Sequence, residues 1–251
     1  MRLLQAALAL LLLPLICKSA VAVDYAEHVT GNGPVTIDPT KAYIAFRILQ
    51  KSEFRFERLP SNEEIAQYDQ DRRAAFDDYK KKKPKGNDFE FDPLEARFSV
   101  NTQIGKIFDK QDGQYVYLIA VKPGTYVLYG HMWQEGPGDM DTCFCMGTVK
   151  FEAAAGKVTD LGRIRMPDDW DVPAPPANPA GILPFVLIPP ATPLRPAGRL
   201  QGLPVEPAVL HAMDKMPNSF GVVIDRLFPI PGVLAYERDK VVDPKSTARS
   251  R

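Results

Sequence analysis

Histidine, cysteine and tryptophan are scarce in this chain, and its charges balance. Three histidines, three cysteines and two tryptophans in 251 residues leave little material for metal clusters, a disulfide framework or an imidazole-based active site. Lys+Arg and Asp+Glu both number 31, so there is no large basic field to attract nucleic acid. Gly-x-Ser-x-Gly, His-Glu-x-x-His and P-loop signatures are missing, and no residue stands out as the carrier of a reaction. Asn-x-Ser/Thr is missing too, which is compatible with a bacterial source. Beyond the first residues, no apolar run approaches the roughly 20 residues that span a bilayer.

What is present begins with a processing segment. Arg2 supplies a positive start, Leu3 to Ile16 an apolar run, and Ala20-Val21-Ala22 a small-x-small cleavage site. Residues 1–22 therefore read as a signal peptide, and the protein as periplasmic or secreted and soluble. Cys17 raises a lipoprotein reading, but Ile16 stands where such signals carry a small residue, which argues against lipid anchoring. Removal of the leader leaves two cysteines, Cys143 and Cys145, in an oxidising compartment.

The chain is organised around Gln114 to Met166, a tandem of β-strand candidates joined at Pro123-Gly124, Gly136-Pro137-Gly138 and Gly156-Lys157. In Gln114 to Val121, Tyr115, Tyr117, Ile119 and Val121 oppose Val116, Leu118 and Ala120. Both faces are apolar, which predicts a central strand covered on each side. Lys41 to Gln50 alternates in the same way, with Ile44, Phe46 and Ile48 on one face. Between these strands lies a helix over 61–83, opened by the Ser61/Glu64 capping box and ended by Pro84 and Gly86. Its Ile65, Tyr68, Phe76 and Tyr79 form a semi-apolar stripe, and Asp69/Arg73, Asp77/Lys81 and Asp78/Lys82 are spaced for i,i+4 ion pairs. The lysines at 80–83 suit a helix C-terminus, where the dipole favours cations.

The fold class expected is mainly β, an antiparallel β-sandwich over 23–166 with a helical insertion and a proline-rich C-terminal extension. The 24 prolines are concentrated after Met166, so 167–200 reads as an extended strap or linker. Its Ile182–Ile188 stretch is too apolar for a solvated linker and reads as lying along the sandwich, with a partner's groove as the other option. Residues 201–244 read as a small α/β region, with a helix from Pro207 to Met216 and strands at Phe220–Leu227 and Gly232–Val242. A disordered tail, 245–251, follows.

One constellation bears on chemistry: His131, Trp133, Cys143 and Cys145. If Trp133 pairs with Cys143 across the Gly-rich turn, His131 falls opposite Cys145 and all four side chains share one face. Two thiolates and an imidazole there would suit zinc or Cu(I), although Cys-x-Cys is not the Cys-x2-Cys spacing of structural zinc sites. Two other states stay open. The cysteines could be reduced and buried, or joined in an i,i+2 disulfide, which an extended strand hardly permits because its Cα atoms lie near the ~6.8 Å limit. The aromatics Tyr115, Tyr117, Tyr126, Tyr129 and Trp133 suit either a core or a stacking surface for sugars.

The run Gln114-Tyr-Val-Tyr-Leu-Ile-Ala-Val-Lys-Pro-Gly-Thr-Tyr-Val-Leu, followed by Val149-Lys-Phe-Glu-Ala-Ala-Ala-Gly-Lys-Val, resembles the transthyretin-like (prealbumin-like) β-sandwich domains of bacterial exported proteins. The likeness covers about Lys41 to Met166 and lacks a counterpart for the helix. It implies a sandwich and carries no catalytic residues. The expectation is a non-enzymatic binding or structural module of the envelope, without a cofactor. Its partner would be an envelope protein or glycan, with no nucleic acid and no transmembrane segment after cleavage. A metal- or redox-handling protein built on the Cys-x-Cys hairpin is the alternative.

Overall fold

The computed structural model describes residues 24–135, 138–166, 185–238 and 240–244. The signal-peptide reading, the strap over 167–184 and the tail over 245–251 lie outside them. In chain order come β1 (Asp24–Tyr25), β2 (Glu27–His28), β3 (Ala42–Ile48), β4 (Glu53–Arg58) and α1 (Asn62–Lys82). Then follow β5 (Ser99–Asn101), β6 (Asp109–Gln111), β7 (Gln114–Val121), β8 (Gly124–Glu135), β9 (Gly138–Cys143), β10 (Thr148–Ala153) and β11 (Val158–Arg165). Short strands complete the chain: β12 (Val186–Ile188), β13 (Val205–Pro207), β14 (His211–Met213), β15 (Val223–Ile224), β16 (Ala235–Glu237) and β17 (Lys240–Val242). No helix among the described residues is long and apolar enough to cross a membrane.

Two sheets face each other. The first runs β1-β5-β4-β8-β10-β14, with β9 added to β8 and β15 to β9; the second runs β12-β11-β3-β7-β2, with β13 on β11 and β6 on β7. Between them lies one apolar core fed by both layers, with Ile44, Phe46, Tyr117 and Ile119 from one sheet and Phe54, Phe56, Leu128 and Phe151 from the other. Phe46 meets Phe54 edge-on at 5.6 Å and Phe56 at 5.7 Å, across the interface. The period-2 alternation of β3 and β7 puts these residues inside.

The Pro123-Gly124 link does not close a hairpin within a sheet. β7 belongs to the second sheet and β8 to the first, so the link carries the chain between layers, as Ala154–Lys157 does on the way to β11. The reason lies in β7: apolar on both faces, it takes β3 and β2 as neighbours in its own layer. Its outer face seeds a second core of Tyr43, Ala45, Phe108, Val116, Leu118, Ala120, Val158 and Leu200. The sheets are also mixed rather than purely antiparallel, because β1/β5, β11/β3, β11/β13 and β15/β9 are parallel pairs.

The expected helix from Pro207 to Met216 is absent; His211–Met213 is strand β14, paired with β10. Within 201–244, β13, β14 and β15 extend the two sheets, while β16 and β17 pair only with each other. Of the proline-rich strap, Phe185 and Leu187 are buried and β12 is paired to β11, so this part lies against the chain's own sheet.

α1 forms as its sequence dictates, with a reciprocal capping box in which Ser61 Oγ accepts from Glu64 N–H and Glu64 accepts from Ser61 N–H. None of its 21 residues is buried. Its aromatic stripe packs on the returning chain instead, Tyr68 on Phe91 at 5.5 Å and Phe76 on Phe89 at 5.1 Å. The charged side chains choose other partners than the i,i+4 spacing suggests: Asp71 pairs with Arg97 and Asp78 with Lys81.

Candidate functional site at the Cys-x-Cys hairpin

β8 is twelve residues long and carries a β-bulge, which bends it and increases its local twist. The bulge falls at Tyr129: opposite β4, Phe56 pairs with Leu128 and Arg55 with Gly130. Across the other edge Gly130 pairs with Cys143, His131 with Thr142 and Trp133 with Met140. This register differs by three residues from the one expected, and an odd shift moves side chains to the other face. His131 therefore points between the sheets, while Cys143 points out of the sandwich. The metal grouping of His131, Cys143 and Cys145 is not assembled, and no cluster of three or more His, Cys, Asp or Glu able to hold a metal occurs among the described residues. Of Trp133, the structure fixes only its place in the ladder.

The two cysteines form a disulfide with Cα atoms 5.1 Å apart. β9 ends at Cys143 and the chain turns there, with Phe144 N–H donating to Tyr129 O and Gly147 N–H to Phe144 O. Leaving extended geometry is what brings the Cα atoms inside the limit that a straight strand exceeds. Gly130 makes the approach possible, because a Cβ at this position would collide with the Thr142 carbonyl. A bond between residues two apart removes little chain entropy, about 1.5 kcal/mol by loop closure, so it pins the turn and not the fold.

A lid covers this disulfide. Cys143 and Cys145, 0% and 4% exposed, pack with Tyr129 against Met216, Phe220 and Val222. The Tyr129 hydroxyl donates to Pro217 O at 2.8 Å and accepts from Ser219 N–H at 3.3 Å. Asn218 closes the lid on itself, donating to Val222 O and accepting from Val222 N–H. Burial raises the Tyr129 phenol to about 12, so its hydroxyl stays protonated and able to donate. Thiol–disulfide exchange needs an attacking thiolate in line with the S–S bond, and the lid denies that approach.

Beneath the lid lies polar chemistry that the sequence reading missed. Arg55, 5% exposed, donates to Asn101 at 3.0 Å, pairs with Asp141 at 3.5 Å and stacks on Phe220, 4.0 Å from the ring centroid. Glu57, two residues along β4, is 3% exposed, and its Oε2 has no hydrogen-bond partner. Burial, reinforced by Glu95 and opposed by Arg55, pushes its carboxyl up to about 8, so it is largely protonated at neutral pH. The period-2 alternation Glu53, Arg55, Glu57 was legible as one face of a strand. That the face would be covered was not.

On the inner face, Ser52 Oγ is hydrogen-bonded to His131 Nε2. The pair has the outline of a nucleophile and its base. His131 is 1% exposed, its Nδ1 has no partner, and Phe54 and Phe185 flank it at 5.2 and 4.8 Å. Burial alone lowers this imidazole to about 4, so it is neutral and lacks the acid that would orient it. The other histidines lie elsewhere, His28 bridging Lys106 O and Gln103 N–H and His211 in edge strand β14. Tyr117, Tyr126 and Tyr129 are buried, so the sugar-stacking surface is not formed by them.

An open concave surface lies away from the cysteines. On α1, Asp69, Arg72, Arg73, Phe76 and Asp77 line, with Phe89, a groove of about 510 Å³. Phe76, in this groove, is 41% exposed, and Ile65, a few turns earlier on α1, is 37% exposed.

Compared with known proteins, the chain matches no family model, no curated protein and no solved structure.

Proposed function

We propose that the chain is an exported, non-catalytic β-sandwich module of the bacterial envelope that binds a protein or glycan partner through its α1 arm. One observation carries this reading: a 21-residue helix with no buried residue contributes nothing to the core, yet it is held in shape by its own aromatic strap. The groove of about 510 Å³ on it combines an apolar floor, Phe76 and Phe89, with both signs of charge, the composition of a recognition surface. The transthyretin-like reading of the sandwich belongs to the same proposal and rests on the tandem strands from Gln114 and the Ala155-Gly156-Lys157 turn before β11.

The test is a photo-crosslinking residue placed at Phe76 in the mature chain, with Val209, 64% exposed on the body, as the control position. Discrete adducts in envelopes at 76 but not 209, lost with Arg72→Glu, support the arm; a sedimentation assay with purified cell-wall glycan separates the two partner classes. Equal labelling at both positions, or none, overturns it.

A second reading, redox handling, rests on the disulfide joining residues only two apart, so that it is not a long-range staple, and it requires the lid of Met216, Phe220 and Val222 to open. Trapping free thiols in growing cells decides: a mixed population of reduced and oxidised chain supports it, and a fully oxidised, alkylation-resistant pair excludes it.

A further inference from the structure

One side of α1 is left over once the chain's own contacts are made. Half-buried Glu64, Tyr68, Asp71, Ala75 and Tyr79 recur at three- and four-residue steps and so mark the side turned to the chain. Arg58 holds Glu64 at 2.6 Å and Arg97 holds Asp71 at 2.8 Å on that side, and Phe91 and Phe89 pack along it on Tyr68 and Tyr79. The opposite side carries Asp69, Arg73, Phe76, Asp77 and Lys80, again within three- and four-residue steps. Asp69, Arg73 and Asp77 are exposed there and make no ion pair or hydrogen bond among the described residues. Asp69 and Arg73 stand four residues apart, as do Arg73 and Asp77, so charges that could have paired along the helix are left for something else. Lys80 uses one donor on Gly86 O at 2.6 Å and keeps two.

The order of these charges complements itself when reversed. The first turn is acidic, with Glu63 and Glu64, and the last is basic, with Lys80, Lys81 and Lys82. Two copies of the helix laid antiparallel, centred between Ala74 and Ala75, set Asp69 opposite the second copy's Lys80. The same register sets Arg73 opposite the second copy's Phe76 and one residue from its Asp77. Each contact then occurs twice, as two-fold symmetry requires, and the helix dipoles oppose each other. A parallel pairing in register sets Asp69 on Asp69 and Arg73 on Arg73, and like charges repel. Because neither sign dominates, a uniformly acidic or basic partner is not matched along this side, whereas a reversed copy of the same pattern is. The helix offers about 30 Å of contact at about 1.5 Å per residue, too little for a permanent dimer and suited to a reversible one.

We propose that the occupant of the α1 arm is a second copy of this chain, paired helix to helix and antiparallel, so that the protein is a reversible, salt-sensitive homodimer. Asp69 with Lys80 and Arg73 with Asp77 across the pairing fix its direction and register. Phe76, 41% exposed in the single chain, is covered by the second copy's Arg73. This occupant rests on the reading of α1 as a binding surface.

Sedimentation velocity of the mature chain over rising concentration tests it. A monomer–dimer equilibrium is expected, weakened roughly tenfold by high salt. Arg73→Glu alone and Asp77→Arg alone should each lose the dimer, because like charges then meet at both symmetric contacts. An equal mixture of these two variants should regain it, since every attractive pair is re-formed across the two chains, and the chain carrying both substitutions should regain it too. Lys110→Glu, the same change of charge at an exposed position on β6, should alter nothing. A monomer at every concentration, a dimer indifferent to the single reversals, a mixture that stays monomeric, or an equal loss with Lys110→Glu each overturns the pairing. The arm itself fails differently. Envelope adducts at position 76 with a mass other than that of two chains keep the arm and remove this occupant, and absence of adducts removes both.

Discussion

The two outer faces of this sandwich are both covered, but by opposite means. Over the second sheet, Val116, Leu118 and Ala120 of β7 meet Phe108, Leu200 and Val205 in an apolar cluster that needs no directional bonds. Over the first sheet, Arg55, Glu57, Asn101 and Ser99 lie buried, with Arg55 stacked beneath Phe220 of a lid fixed by hydrogen bonds of Tyr129 and Asn218. The first cover is built from transfer free energy and tolerates any pH. The second puts ionisable groups out of water, so its stability is tied to protonation and to each bond being made. A polar face hidden this way is a structural solution with a chemical cost, whereas the groove along the α1 arm stays open.

That contrast can be broken or sharpened in order of expected size. Leu118→Ala, at a fully buried position, should cost about 2–5 kcal/mol in denaturant unfolding; a loss under 1 would mean the apolar cover is not a true core. Gly130→Ala, which drives a Cβ into the Thr142 carbonyl, should cost about 1–3 kcal/mol and loosen the disulfide turn, seen as faster amide exchange at 143–147.

Stability against pH separates the faces most directly. Glu57 has its folded carboxyl raised to about 8, so on its account stability falls as pH climbs from the ordinary carboxylate range to 8. His131 has its folded imidazole lowered to about 4, so on its account stability rises with pH from 4 to about 6.5. The two slopes oppose each other between about 4.5 and 6.5, and only Glu57 acts above. The chain should therefore lose about 2 kcal/mol between pH 6.5 and 8. Glu57→Gln should flatten that decline, and an unchanged profile would place the titrating group elsewhere.

Smaller still, Cys143→Ser with Cys145→Ser should cost about 1.5 kcal/mol, and added zinc should not raise the melting temperature of the reduced wild-type chain. Phe76→Ser on the arm should shift stability by less than about 0.5 kcal/mol while abolishing the adducts of a crosslinking residue placed instead at Asp69, in the same groove.

How much of this could be read beforehand varies by element. The capping box at Ser61 and Glu64, the alternation of β3 and the double-sided burial of β7 are local properties, and local properties are written in the residues that make them. The Cys-x-Cys hairpin was harder. Its turn was legible, but the unbroken pairing of β8 with β9 from Glu135↔Gly138 to Gly130↔Cys143 sets a register three residues from the expected one. With a side-chain period of two, that sent His131 to the core and the cysteines to the outside. The stretch His211–Met213 misled in another way: Pro207 reads as a helix start, yet the free edge of β10 offered a ladder, and tertiary pairing overrode local preference.

The sequence by itself determined that strands would predominate, that one capped helix would interrupt them, and that β7 would lie deep, because periodicity and capping act within a few residues. Only the tertiary structure decided which layer each strand joined, that Pro123-Gly124 would cross between layers, and that Arg55, Glu57 and a disulfide would share a sealed face. Those outcomes depend on contacts between residues far apart in the chain, where the free energy of burying one side chain is set by what comes to cover it.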